Sequence, residues 1–183
     1  MHFVIIAFLM IIATQASPEN RHTLEEAIKE VDANVVFMRH ALAPGFGDPD
    51  NFSLSDCSTQ RNLDKAGRKQ AHAIGVSIKK SSVHFNEVFS SQWCRCKETT
   101  ELLELGHWQT FSGLNSFFQG YADRSITLRD LELKLNKIND DGGITLMVTH
   151  QVVIHAATGT SVASGELVAY NSLTKLKKTF KLD

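Results

Sequence analysis

The chain has 183 residues, of which 43% are hydrophobic and 21% charged. This composition is typical of a folded globular protein and excludes a disordered, collagen-like or repeat-tract chain. Its 19 basic and 20 acidic residues give a formal charge of −1, so the basic excess of a nucleic-acid-binding protein is missing.

The first segment in chain order is an uncharged apolar run from Phe3 to Ala13. A membrane-spanning helix needs about 20 apolar residues, so this shorter run indicates a secretory signal peptide instead. The small residues Thr14 and Ala16 favour cleavage after Ala16. We therefore expect a signal peptide at 1–16 and a single domain at 17–183, exported to the periplasm or secreted, with no membrane span after cleavage. An uncleaved anchor and a buried helix are the alternatives.

Helix and strand patterns alternate along the rest of the chain. Thr23 followed by Glu26 predicts a capping box at the first helix, and Asp64 is predicted to cap the second. In chain order we expect a helix to about residue 31, a strand at 35–38, a helix at 64–80, a strand at 87–91, a helix at 94–105, a strand at 107–112, a helix at 126–138, a strand at 144–148, short strands at 161–163 and 167–170, and an edge strand within 173–182.

This alternation predicts an α/β fold, a three-layer α/β/α sandwich with a mostly parallel central sheet. Residues 43–62 are rich in Gly, Pro, Asp, Asn and Ser, so they form a loop whose length favours a functional role. The apolar residues expected on the inner helix faces are Ala71, Ile74, Ile78, Leu102, Leu105, Leu128, Leu131, Leu135 and Ile138.

The three cysteines are interpreted in the light of export. In an oxidising compartment Cys57 is able to pair with Cys94 or with Cys96, and either pairing leaves one thiol over. Three small buried thiols are an equally good interpretation, so the spacing leaves the choice open. A zinc site is not favoured, because these cysteines lack metal-ligand spacing.

Charged and titratable residues follow the ends of three predicted strands. Arg39 and His40 end the first strand, His150 follows the strand at 144–148, and Arg95 begins a helix after the strand at 87–91. Ligands of open α/β sheets bind at the carboxyl ends of the strands, so these side chains are expected to meet. Neither arginine has an obvious neighbouring carboxylate, and the nearby helix N-terminus would add backbone N–H groups. The cluster therefore predicts a phosphate site.

Such a cluster suits phosphoryl transfer that uses no metal. One neutral imidazole acts as the nucleophile, while the arginines and the second histidine stabilise charge on the phosphoryl oxygens. Nearby cations disfavour protonation of the ring and keep it neutral near pH 7. The plain alternatives are hydrogen-bonded structural histidines and solvated arginines. A metal site at His150 and His155 is not favoured, because the two lie off one helical face.

Four segments carry a resemblance to a known family. They are VVFMRHA at 35–41, LDKAGRKQA at 63–71, SSQWCRCKET at 90–99 and MVTH at 147–150. In this order they resemble the motifs of the histidine phosphatase superfamily, which has the phosphoglycerate-mutase-like fold. The similarity covers about residues 35–165. The chain looks most similar to small exported members, or to lipopolysaccharide-core heptose phosphate phosphatases.

The resemblance implies a phosphohistidine mechanism with His40 as the nucleophile. Arg39, Arg95 and His150 would form the phosphate pocket, and the substrate would be a small-molecule or glycan phosphate, with no metal and no cofactor. Arg61 is a further candidate for binding the substrate from the long loop, with a surface role as its alternative.

Two features depart from the family's pattern. Ala41 replaces a frequent glycine, although a small residue still lets the backbone approach a phosphate. Many members place a Glu or Asp shortly after the third strand as a general acid, whereas residues 112–120 contain no carboxylate. Either the leaving group needs little protonation, or an acid comes from Asp48, Asp50, Asp56 or Glu98. The alternative for Asp48, Asp50 and Asp56 is a solvated charge in the loop. The alternative for Glu98 is a solvated charge or a helix ion pair with Arg95.

The sequence thus predicts an exported phosphomonoesterase. A phosphate- or phosphosugar-binding protein without turnover and an envelope interaction protein with an incidental anion site are the alternatives. The aromatic residues expected either at a substrate entrance or in the core are Trp93, Trp108, Phe117 and Phe118. His72, His84 and His107 are expected to be surface or half-buried residues.

Overall fold

A computed structural model describes residues 23–141 and 143–182. The predicted signal peptide lies outside the described residues. The helices are α1 (Leu24–Val31), α2 (Lys65–Lys80), α3 (Cys94–Leu103), α4 (Arg124–Asp141) and α5 (Gln151–Thr158). The strands are β1 (Val35–Arg39), β2 (Glu87–Ser90), β3 (Gln109–Thr110), β4 (Thr145–Thr149), β5 (Leu167–Tyr170) and β6 (Lys177–Phe180).

The six strands form one sheet in the order β3-β2-β4-β1-β5-β6. β1, β4, β2 and β3 pair in parallel, while β5 runs antiparallel to both β1 and β6. Successive side chains of a strand point to opposite faces, and β1 shows this directly. Val36 and Met38 pack with α1, α2 and α3, whereas Val35 and Phe37 pack with α4 and α5. The predicted three-layer sandwich with a mostly parallel sheet is confirmed.

Both predicted helix starts are present. The Thr23 side chain accepts a hydrogen bond from the Glu26 N–H, and the Glu26 carboxylate accepts one from the Thr23 N–H. Asp64 accepts from the Gly67 N–H at 2.7 Å. These side chains satisfy donors that the first helical turn leaves without an intrahelical partner.

The structure corrects the predicted inner face of α3. Leu103 is buried there, while Leu102 and Leu105 are only partly buried. The inner face also holds Thr99 and Thr100, whose hydroxyls donate to backbone carbonyls one turn earlier. Leu102 and Leu105 still pack against core clusters, so apolar periodicity found part of this face and missed its two polar residues.

Two further predictions are corrected, and one helix was missed. The strand expected at 107–112 is limited to two residues, and 161–163 forms no strand. Helix α5 was not predicted, because QVVIHAAT has the composition of a strand. Its helical form is supported by Gly159, which closes its C-terminus in the left-handed region at φ 70°.

Close packing of α2 fixes the segment that follows β1. A Cβ added at Gly67 would lie 1.9 Å from the Leu42 carbonyl oxygen, so only glycine fits there. Gln70 accepts a hydrogen bond from the Leu42 N–H and donates one to the Ser164 carbonyl, both at 2.9 Å. The chain just after β1 is therefore held between α2 and the segment before β5.

A disulfide joins the long loop to α3. Cys57 is bonded to Cys94, with 5.7 Å between their Cα atoms, and Cys96 is a buried free thiol. The structure thus selects one of the two pairings that spacing left open. Within the described residues, no helix combines the length and apolar character needed to cross a membrane.

Candidate active site

Three neighbouring parallel strands deliver the predicted site residues to one edge of the sheet. His40 follows β1, His150 follows β4, and Arg95 lies in the first turn of α3, just after β2. The strands are adjacent in the order β2-β4-β1. The His40 N–H donates to the Thr149 carbonyl at 2.9 Å, which ties the two strand ends together.

His40 is buried, with 2% of its surface exposed. Its Nδ1 lies 2.8 Å from the Ala41 carbonyl oxygen. A carbonyl only accepts hydrogen bonds, so Nδ1 carries the proton and Nε2 carries a lone pair. Arg95 Nε donates to His40 Nε2 at 3.3 Å. Burial, followed by the charge of Arg95, holds the pKa of His40 well below its ordinary value.

His150 is oriented by a chain of hydrogen bonds that runs through Ser91 and Asn115. Ser91 Oγ donates to Asn115 Oδ1 at 3.2 Å, so it is left to accept from His150 Nε2 at 2.9 Å. This arrangement leaves His150 Nδ1 as an acceptor, 3.5 Å from Arg95 Nη2. Burial, then the charge of Arg95, holds the pKa of His150 well below its ordinary value. The two imidazoles, 5.4 Å apart between ring centroids, are both neutral near pH 7.

Arg95 forms a buried bidentate ion pair with Asp48. Arg95 Nη1 lies 2.7 Å from Asp48 Oδ1, and Arg95 Nη2 lies 3.1 Å from Oδ2. Trp93 Nε1 also donates to Asp48, at 3.1 Å. The expectation that neither arginine has a neighbouring carboxylate is therefore wrong for Arg95, because the long loop folds back and places Asp48 against it.

The same contacts exclude Asp48 as a general acid. Burial alone would raise the pKa of Asp48, but the hydrogen bonds and charge of Arg95 outweigh it and lower the pKa overall. Its oxygens accept from Arg95, Trp93 and the Arg61 backbone N–H. An ionised carboxylate with these partners has no proton to give, so this candidate acid is corrected to an ion-pair partner.

Two more guanidinium groups reach the pocket. Arg39 Nη1 donates to the Val162 carbonyl at 2.8 Å, and among the described residues Arg39 Nε is the one buried side-chain nitrogen or oxygen without a hydrogen-bond partner. Arg61 donates to the carbonyls of Gly47 and Ala43. Burial, then the charge of Arg95, lowers the pKa of both Arg39 and Arg61. Crowded cations of this kind bind an anion favourably.

A cavity of about 380 Å³ connects these groups. Its basic and imidazole lining consists of Arg39, His40, Arg61, Arg95 and His150. Its large apolar lining consists of Leu42, Pro44, Phe46, Phe118 and Val152. Among the described residues that line it, none is Asp or Glu. The site is a basic, half-apolar cleft that fits a small anion bearing an apolar substituent.

Comparison with solved structures identifies the architecture. The protein histidine phosphatase SixA complexed with tungstate is 16% identical, with a TM-score of 0.53 over 79% of this chain and 92% of that one. The mycobacterial glucosyl-3-phosphoglycerate phosphatase is 12% identical, with a TM-score of 0.54 over 82% and 97% of the chains. The α-ribazole phosphatase from Shigella flexneri is 15% identical, with a TM-score of 0.52 over 81% and 95%.

The fold is that of the histidine phosphatases. No family model matches the chain, and no curated protein matches its sequence. The likeness to solved structures confirms the histidine phosphatase fold that the four sequence segments led us to expect.

Within this histidine phosphatase fold, the other candidate acids lie away from the pocket. Glu98 pairs with Arg68 at 2.6 Å rather than with Arg95. Asp50 is exposed, and Asp56 is exposed and accepts from Ser58. None of these carboxylates lines the cavity.

Two backbone N–H groups at the start of α3 donate to protein side chains rather than to the pocket, whereas Arg95, in the first turn of this helix, lines the cavity. The Cys94 N–H donates to the Gln60 side chain at 2.9 Å, and the Trp93 N–H donates to Ser91 Oγ at 3.4 Å. Neither Trp93 nor Cys94 lines the cavity. The formal positive charge of the cavity lining is that of the guanidinium groups of Arg39, Arg61 and Arg95.

Of the four aromatic residues expected at a substrate entrance or in the core, three pack in or against the core and one lines the cavity. Trp93 is buried, stacks on Phe52 and lies edge-on to His150, so it belongs to the core. Trp108 and Phe117 are half-buried against the two core clusters. Of the four, Phe118 lines the cavity.

Sequence reasoning missed Phe46, Ser91 and Asn115. Phe46 stands between two glycines in the long loop, a signal for a presented side chain that was available in the sequence. Ser91 and Asn115 orient His150 through side-chain hydrogen bonds. Ser91 lies in the SSQWCRCKET segment, but its pairing with Asn115 had no sequence signal, because a hydrogen bond across 24 residues leaves no local pattern.

Proposed function

We propose that this protein is a phosphatase that hydrolyses a phosphomonoester through a phosphohistidine on His40. One observation carries the proposal: a neutral, buried His40 whose Nε2 lone pair lies 3.3 Å from the Arg95 guanidinium, in a cleft lined also by Arg39, Arg61 and His150. The histidine phosphatase fold supports it, because the similar solved structures are named as phosphatases.

The first step is attack of His40 Nε2 on phosphorus. A bond forms between Nε2 and phosphorus, the bond from phosphorus to the ester oxygen breaks, and that oxygen leaves with the electron pair. The Ala41 carbonyl holds the Nδ1 proton and fixes the ring for attack. Arg39, Arg61 and Arg95 stabilise the charge on the three remaining phosphoryl oxygens.

The second step is hydrolysis of the phosphohistidine. A water oxygen bonds to phosphorus, the bond to Nε2 breaks, and its electron pair returns to His40. One proton of the water passes to a phosphoryl oxygen, so the product leaves as dihydrogen phosphate. Because burial, and then the charge of Arg95, hold the pKa of His40 low, the ring is regenerated in the neutral form. His150 is also neutral, and its Nδ1 is an acceptor close to Arg95.

A second candidate is a phosphate- or phosphosugar-binding protein of the cell envelope with little or no turnover. The absence of Asp and Glu from the described cavity lining favours it. General acid–base help is worth about 10²–10⁴ in rate, so its loss is compatible with a slow enzyme as well as with a binder.

Rapid-quench labelling separates the two candidates. With radiolabelled 4-nitrophenyl phosphate, we expect an acid-labile phospho-enzyme in the wild-type protein and in the control His107→Ala, whose residue is exposed. The His40→Ala variant should carry no label, because the attacking Nε2 is removed. Tight phosphate binding without label in the wild type would establish the binding protein and contradict the phosphatase.

We further propose that the protein is exported and that 17–183 is its mature domain. The apolar run from Phe3 to Ala13 supports this, and the Cys57–Cys94 disulfide suits an oxidising compartment. Mass spectrometry of the protein recovered outside the cytoplasm is expected to find an N-terminus at Ser17. A protein found only in the cytoplasm with Met1 retained would contradict export.

A further inference from the structure

Two phenylalanines form an exposed rim on the cavity that holds His40. Phe46 is 89% exposed and Phe118 39% exposed, and their rings meet edge to face with centroids 5.1 Å apart. Among the described residues, Phe46 is the most exposed of the large hydrophobic side chains. Two exposed apolar side chains that touch each other at the edge of a pocket form a patch of the kind that lines ligand-binding grooves. We call Phe46 and Phe118 the aromatic rim.

The aromatic rim is held in place by the backbone around it. Gly45 and Gly47 flank Phe46 with φ of 90° and 69°, a left-handed conformation that favours glycine. The Gln119 side chain lies against Gly47, accepting from the Asp48 N–H at 2.7 Å and donating to the Asp48 carbonyl at 3.2 Å. Because Gln119 directly follows Phe118, these contacts hold the two segments that carry the rings next to each other.

The cavity lining adds a second, chemical observation. Among the described lining residues there is no carboxyl group to protonate a leaving oxygen. Ser116 lines the cavity in the segment where many members of the resembled family place an acid. The leaving oxygen must then depart without receiving a proton from a carboxyl group. A phenol has a pKa of about 10, whereas water and aliphatic alcohols hold their protons much more tightly.

We propose that the aromatic rim is a leaving-group subsite and that the substrate is an aryl phosphomonoester; this rests on the proposed phosphatase function. The phosphoryl group occupies the basic part of the cleft, and the aromatic ring of the substrate packs on Phe46 and Phe118. When His40 Nε2 attacks phosphorus, the aryl oxygen leaves as a phenolate that keeps the electron pair of the broken bond. The phenolate takes its proton from water afterwards.

Four substrates separate the two properties of the leaving group. 4-Nitrophenyl phosphate has an aromatic ring and a good leaving group, and acetyl phosphate has a good leaving group but no ring. 2-Phenylethyl phosphate has an aromatic ring but a poor leaving group. Glycerol phosphate has neither a ring nor a good leaving group. We expect kcat/KM to be highest for 4-nitrophenyl phosphate, and about 10²–10⁴-fold lower for the two alcohol esters, because no carboxyl group assists them.

Substitutions in the rim test the contact with the ring. Phe46→Ala is expected to lower the ratio of kcat/KM for 4-nitrophenyl phosphate to that for acetyl phosphate about tenfold, and Phe46→Leu is expected to lower it less. The matched control is Leu173→Ala, which removes an equally apolar side chain, 75% exposed and outside the cavity. It should leave the ratio unchanged.

Three outcomes would overturn the proposal. If the kcat/KM ratio for 4-nitrophenyl phosphate over acetyl phosphate is unchanged in Phe46→Ala, the aryl subsite is contradicted. The same holds if glycerol phosphate is hydrolysed as well as 4-nitrophenyl phosphate. Neither result contradicts the phosphatase function. No His40-dependent phospho-enzyme with any of the four substrates would overturn the phosphatase itself, and the subsite with it.

Discussion

Replacing Arg95 by Met is expected to lower the free energy of unfolding by about 3–5 kcal/mol, because it leaves the buried Asp48 carboxylate without its charge partner. The pair is bidentate, and both side chains are almost entirely buried. Asp48→Asn should also destabilise the protein, since the Arg95 charge then stays buried alone. Urea unfolding at pH 7.5 measures both effects.

A double-mutant cycle makes this prediction specific. The double variant Asp48→Asn/Arg95→Met removes both charges, so it should lose clearly less than the sum of the two single losses. Arg68→Met is the matched control, because it breaks the exposed Arg68–Glu98 pair and should cost at most about 1 kcal/mol. Strictly additive losses, or an Arg95→Met loss no larger than the control, would contradict the prediction.

Acidification is expected to destabilise the protein between pH 7.5 and 5.5. The pKa values of His40 and His150 lie well below the ordinary value in the folded protein, whereas in the unfolded chain a histidine has a pKa of about 6.5. As the pH falls below 6.5, the unfolded chain binds protons that the folded protein does not, so stability is lost. Each histidine that stays neutral in the folded protein contributes about 1 kcal/mol over this interval, so the two together give a loss on the order of 2–3 kcal/mol.

The histidine origin of this loss is tested by comparing variants. His150→Gln should reduce the difference between the unfolding free energies at pH 7.5 and 5.5 to about half, because one of the two buried rings is gone. The exposed His107→Gln is the control and should leave the difference unchanged. An unfolding free energy that is equal at both pH values, or higher at pH 5.5, would show that these imidazoles do not stay neutral.

Much of the architecture followed from local sequence patterns. The capping residues Thr23 and Asp64 fixed two helix starts, and the apolar runs located the parallel strands that carry the site. Since parallel strands end at a common edge, their order along the chain sufficed to bring His40, Arg95 and His150 together. The roles of these three residues in catalysis are proposals, which the labelling and kinetic experiments test.

The parts that could not be predicted depend on contacts between distant segments. Asp48 lies in a loop without periodicity, and its pairing with Arg95 arises only when that loop folds over α3. The choice between Cys94 and Cys96 for the disulfide was open for the same reason, since it depends on where Cys57 is carried. In α3 the polar residue Thr100 faces inward because a backbone carbonyl satisfies its hydroxyl, which no hydropathy pattern reveals.

The Asp48–Arg95 pair also sets the total charge that the cleft offers to a ligand. Three guanidinium groups, one carboxylate and two neutral imidazoles leave a net charge of +2 among the lining residues and their ion-pair partner. A phosphomonoester carries nearly two negative charges at neutral pH, so it is matched, whereas a diester, with one, is not. Without the carboxylate the cleft would hold inorganic phosphate more tightly and release the product more slowly.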